Sequence, residues 1–84
     1  MTTYKAAIRI QLRKQILDVQ GKAVEQALRA LDFSALHNVR IGKFVELDVE
    51  AASKDEALAQ VNAACAKLIA NPVMEDFHIE LREV

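Results

Sequence analysis

The sequence predicts an α+β fold of β-α-β-α-β order, with two helices on one face of an antiparallel sheet, related to the ferredoxin-like fold with one strand merged away. Three observations carry this expectation. Apolar and polar residues alternate at 4–12 and again at 77–82; each of two stretches between them has a helical apolar stripe behind a capping residue; and a central run from 38 to 50 alternates without interruption. At 84 residues the chain has room for one domain, 1–84.

Within the first strand, Tyr4, Ala6, Ile8, Ile10 and Leu12 face one way, and Lys5, Arg9 and Gln11 the other, the period of a half-buried strand. Asp18 then stands where its carboxylate can accept the free amides of a helix near 19–31. Val24, Ala27, Leu28 and Leu31 follow at i, i+3, i+4 and i+7, and Gly21 weakens the first turn. The second helix opens on a capping box, Ser53 with Glu56, and carries its apolar stripe on Leu58, Val61, Cys65, Leu68 and Ile69. Asn71-Pro72 ends it, because proline disfavours helical geometry in the residue before it. Phe77, Ile79 and Leu81 alternate with His78, Glu80 and Arg82 in a last strand.

The central run contains Gly42-Lys43, a dipeptide that can form a two-residue hairpin. A hairpin there would oppose Arg40 to Val45 and Val39 to Glu46, mixing buried and solvated side chains on one face. Read straight through, Val39, Ile41, Val45, Leu47 and Val49 share one face, and Arg40, Gly42, Phe44, Glu46, Asp48 and Glu50 share the other. The chain therefore runs on, whether Gly42 serves as a bend or a bulge. Such a strand spans roughly 40 Å, while a compact domain of this length is about 30 Å across. It must bend or project, and a projecting strand pairs with a second copy.

Composition narrows the function classes. Eleven basic and 12 acidic side chains are interspersed for a net charge of −1, with no basic stripe of the kind that nucleic acid requires. No apolar run is long enough to span a membrane and no secretory leader is evident, so the expected setting is cytoplasmic. Fourteen alanines and four aromatic residues imply a thin core, which favours self-association.

Candidate chemistry is sparse. Cys65 falls on an apolar stripe, where a thiol behaves as a small hydrophobe. His37 and His78 lie far apart, and His78 sits in the polar phase of its strand. Glu46, Asp48 and Glu50 make a row of carboxylates that reads as a solvated face or a surface for a basic partner, with a metal site as the other reading. Val19-Gln20-Gly21-Lys22 is similar to the phosphate loop of acylphosphatases but lacks the arginine that closes that loop. No paired acid and base, nucleophile elbow or phosphate cradle is present, which points away from catalysis by this chain.

Three stretches resemble the PurS family, the small subunits of phosphoribosylformylglycinamidine synthase in purine biosynthesis. They are DVQGKAV at 18–24, VRIGKFVEL at 39–47 and LIANPVMEDF at 68–77. Val19 departs from the family, which commonly has proline at that first helical position. The resemblance implies a chain that is non-catalytic and binds no cofactor. Its implied partners are a second copy (as a dimer or dimer of dimers), a large synthetase subunit that uses ATP and magnesium, and a glutaminase subunit whose ammonia must be delivered. Partner contacts are then expected on Arg40, Gly42, Lys43, Glu46, Asn71, Pro72 and Asp76, and the dimer strand on Val39, Ile41, Val45, Leu47 and Val49. The same architecture also admits a small-molecule-sensing dimer of the ACT-like regulatory type.

Overall fold

A computed structural model describes all 84 residues, Met1–Val84. The elements run β1 (Thr2–Leu12), α1 (Val19–Ala30), β2 (Gly42–Ala51), α2 (Lys54–Ala64) and β3 (Glu75–Glu83), with a π-helical turn, Cys65–Ile69, continuing α2. The three strands form one antiparallel sheet in the order β2-β1-β3. The expected α+β architecture and element order are therefore present.

β1 is central because it is the most apolar of the three on one face. Its register sets Ile8 between Val45 and Ile79, and Ile10 between Lys43 and Phe77. Tyr4, Ala6, Ile8 and Ile10 are buried with Val49 and Ala51 against Ala57, Val61, Cys65 and Ala70. Small residues at 57, 65 and 70 let the α2 backbone approach the sheet closely, so Ile8 is completely covered although only 11 of 84 residues are buried.

α2 starts where Ser53 Oγ accepts the Glu56 amide at 3.2 Å. Its stripe differs from the expected one. Ala57 is buried in place of Leu58, and Leu68 is 86% exposed while Ile69 packs on the core. The π-turn accounts for the second change: Ala70 donates to the Cys65 carbonyl at 3.0 Å, five residues back, and the extra residue per turn rotates Leu68 outward.

α1 forms as expected but does not pack on the sheet. Gly21 is its only buried residue, and Val24 and Leu31 are 40% and 66% exposed. Thus α2 alone covers the sheet. α1 closes without glycine: Phe33 donates to Leu28 O at 2.8 Å and Asp32 to Arg29 O at 3.1 Å, with Asp32 at φ 69°. This is the paired bonding of a Schellman ending, which an aspartate tolerates.

The central run does pass Gly42-Lys43 without turning, but the strand begins at Gly42. Pairing with β1 stays in step from Gln11↔Gly42 to Thr2↔Ala51, so Gly42 is neither turn nor bulge. A Cβ there would lie 2.5 Å from the Ile10 carbonyl oxygen, so glycine permits the close approach of β2 to β1. Val39 and Ile41 lie outside the strand, which corrects their expected place in it. Their amides donate to side chains, Val39 to Glu25 at 3.0 Å and Ile41 to Asp18 at 2.7 Å, and so are not free for a ladder. β2 pairs along its whole length with β1 and does not project, leaving one open edge.

Gly21 gives a test in which two effects oppose. Alanine is the better helix former by about 1 kcal/mol, yet a Cβ at 21 would overlap the Val39 carbonyl and the Asp18 carboxylate. The overlap involves backbone and wins, so Gly21→Ala should lower unfolding stability by about 1–3 kcal/mol in urea titration. Ile8→Ala, which empties the fully covered centre, should lower it by about 2–5 kcal/mol.

Candidate functional site

At one end of the sheet β1 leaves and β2 and β3 begin, and polar side chains there bind the connections together. Asp18 is the N-cap of α1, its Oδ1 accepting the Gly21 amide at 2.9 Å and its Oδ2 the Ile41 amide at 2.7 Å. Two turns on, Glu25 accepts the Val39 amide at 3.0 Å through Oε1 and pairs with Arg29 at 3.1 Å through Oε2. Segment 39–41 is thus laid along the first turns of α1. The Arg40 guanidinium donates to the Leu12 carbonyl, tying the same segment to the end of β1.

On the other side, the 71–75 turn is equally constrained. Asn71 Oδ1 accepts the Val73 amide at 3.0 Å, and Glu75 Oε1 accepts the Asn71 amide at 2.7 Å. Arg13 Nη2 donates to the Pro72 carbonyl at 2.5 Å, and Arg13 Nε lies 3.5 Å from Asp76. Lys43 reaches Glu75 at 3.3 Å, linking the first residues of β2 and β3.

Backbone donors dominate the electrostatics. Asp18 is held below the usual carboxylate range first by the Gly21 amide and then by that of Ile41, with help from the Arg40 charge. Glu25 is lowered first by the Val39 amide, and Glu75 first by the Asn71 amide, against a smaller opposing effect of burial in each. Burial pushes the Cys65 thiol up, the opposite of what a nucleophile needs.

Of the residues expected to meet partners, Arg40, Gly42, Lys43, Asn71, Pro72 and Asp76 all belong to this end of the sheet. Glu46 does not. It sits on the outer sheet face, away from α2, opposite Ala7, with Glu80 opposite Ala7 on the other side. Sequence reasoning missed Arg13, Glu25 and Glu75 as the residues that hold the cluster, because each bonds a backbone atom or side chain far along the chain and leaves no local pattern. Asp18 was legible as a cap but not as the acceptor for Ile41. No three histidine, cysteine or carboxylate side chains converge as a metal-holding group, and no helix is long and apolar enough to cross a membrane.

Comparison with known proteins covers nearly the whole chain. Residues 5–83 match the family described as PurS: Phosphoribosylformylglycinamidine (FGAM) synthase. The phosphoribosylformylglycinamidine synthase subunit PurS of Bacillus subtilis is 40% identical over 81 residues, covering 96% of this chain and 95% of that protein. The crystal structure of Methanocaldococcus jannaschii PurS superposes with a TM-score of 0.87 at 30% identity, covering 96% and 98% of the two chains. A chain in the structure of PurLQS from Thermotoga maritima matches at 37% identity and a TM-score of 0.87 over 100% of both chains.

The lowered carboxylates set the acid response of this end. Because Asp18, Glu25 and Glu75 are lowered in the folded state, their contribution is complete above the unfolded carboxylate values, from about pH 5 upward, and is lost as pH drops through the lowered ones. Exchange protection at Gly21, Val39, Ile41 and Asn71, taken relative to an unstructured amide at the same pH, should therefore fall below about pH 4 while Ile8 and Ile10 stay protected. Equal loss of protection at both sets would show that these bonds do not hold the loops independently.

Proposed function

The chain belongs to the PurS family, the small subunits of phosphoribosylformylglycinamidine synthase in purine biosynthesis, and we propose that within that enzyme it joins the synthetase to the glutaminase and supports passage of ammonia between them. The observation that carries this reading is the full-length likeness to a chain of PurLQS. Free ammonia in bulk water is protonated and lost, so delivery benefits from a closed junction. In this role the chain has no catalytic residue of its own, ATP and magnesium serve the synthetase partner, and the setting is cytoplasmic.

A rigid end of the sheet suits such a bridge, because surfaces ordered before docking lose less freedom on binding. Arg40, Gly42, Lys43, Asn71, Pro72 and Asp76 are assigned to that contact, with Glu46 as a separate contact on the outer face. Glu46→Lys together with Asp76→Lys should shift stability by less than about 1 kcal/mol, since both groups are exposed and only Asp76 has an ion-pair partner. Co-purification with the synthetase and glutaminase subunits should weaken, and glutamine-dependent synthesis should fall further than ammonia-dependent synthesis. A normally folded variant that assembles and uses glutamine like the wild type would remove the contact assignment.

We also infer that the working unit contains a second copy. The radius of gyration is 16.4 Å, against about 12 Å for a compact chain of this length. Val24 of α1 and its C-cap Leu31 are exposed, and β2 offers an open edge along Val45, Leu47 and Val49. Sedimentation at micromolar concentration should give at least a dimer, and Val24→Glu with Leu31→Glu should yield a folded monomer. A wild-type monomer under those conditions would overturn the inference.

A further inference from the structure

The outer face of the sheet carries a hollow of about 590 Å³, which shares Arg40, Gly42, Lys43 and Asp76 with the contact assigned above and extends beyond it to Arg9, Lys14 and Phe44. Strand register builds it. Arg9 stands between Phe44 and His78, and one step on Gln11 stands between Gly42 and Asp76. Gly42 has no side chain to fill the row, and Lys14 and Arg40 close the loop end.

Its composition is unlike the rest of this face. Phe44 is 61% exposed and points away from the core, so burial does not explain an aromatic ring there. Four cations line the hollow against one carboxylate, Asp76, in a chain of net charge −1. Arg9 is neutralised by Glu80 at 2.5 Å and Lys43 by Glu75 at 3.3 Å, while Asp76 faces Arg13. Lys14 and Arg40 take part in no ion pair within 4.0 Å. The carboxylate that Arg40 does feel, Asp18, already accepts two backbone amides.

We propose that this hollow binds a nucleoside monophosphate, its base against the Phe44 ring and its phosphate between Lys14 and Arg40. The volume falls within the roughly 300–1,000 Å³ of small-molecule sites. Aromatic rings stack on any base. Guanidinium and ammonium groups together suit a phosphate monoester, and Gln11 and Asp76 offer partners for ribose hydroxyls. All these groups come from one chain, so the site stands whether or not the bridging role holds.

The test is an amide NMR titration of the isolated protein with adenosine 5′-monophosphate, adenosine and inorganic phosphate in separate arms. The monophosphate should give saturable shifts confined to residues 9–14, 40–44 and 76–78. Adenosine and phosphate should each bind at least about tenfold more weakly. Lys14→Gln and Phe44→Ser, at exposed positions, should each weaken the monophosphate severalfold with the remaining spectrum unchanged. No saturable shift at millimolar monophosphate, an equal response to phosphate alone, or indifference to both substitutions would overturn the proposal. A stronger response to a polyglutamate peptide would also overturn it, making the hollow a docking surface for an acidic protein segment.

Discussion

The Asp18 carboxylate has two oxygens, and each holds a different element: Oδ1 takes the Gly21 amide at the start of α1, and Oδ2 takes the Ile41 amide just before β2. This matters more here than a helix cap does in most folds, because α1 contributes no side chain to the core that could position it. Glu25 repeats the device two turns later with the Val39 amide. The pair fixes the direction of α1 and also ends the upstream reach of β2, since the amides they accept are withdrawn from strand pairing. Glycine at 21 belongs to the same arrangement, its missing Cβ leaving room for the Val39 carbonyl.

The remainder of the fold rests on β1. Its apolar face is the only surface fully covered within the chain, and α2 covers it through alanine and cysteine as much as through branched residues. Close approach by small residues seals Ile8 and Ile10 yet contributes little apolar area per residue. That economy leaves much of the chain's apolar surface open: Leu31, Phe33, Leu36 and Leu68 are all more than half exposed. A protein that works as one subunit among several can carry such surfaces, because its cover comes with assembly.

Charged residues at the end of the sheet serve geometry more than stability. An exposed ion pair of the Arg13–Asp76 kind contributes only about 0–1 kcal/mol, and in Lys43–Glu75 the lysine end stays in solvent while the glutamate is covered. What they do is hold two connections in one arrangement, with Asn71 and Glu75 closing the turn through backbone amides. The family motifs fall largely on this ordered end, in the stretches around Asp18, Gly42 and Asn71-Pro72.

Local pattern determined which segments are strands and which are helices, where both helices begin, and that the chain passes Gly42-Lys43 without turning. Each of these follows from side-chain periodicity or from a cap within three residues of its target, information that lies next to itself in the chain. Tertiary structure alone decided three things. Val39 and Ile41 keep the alternation of a strand, yet their amides are claimed by carboxylates 14 and 23 residues away. Leu68 keeps helical spacing, yet one widened turn carries it to solvent. The stripe on α1 has the period of a buried face, but its own chain covers it only in part, with Leu28 half-buried and Val24 and Ala27 exposed. Periodicity states that a face is apolar; what lies against that face depends on where the backbone goes afterwards, and here hydrogen bonds between residues distant in sequence direct it.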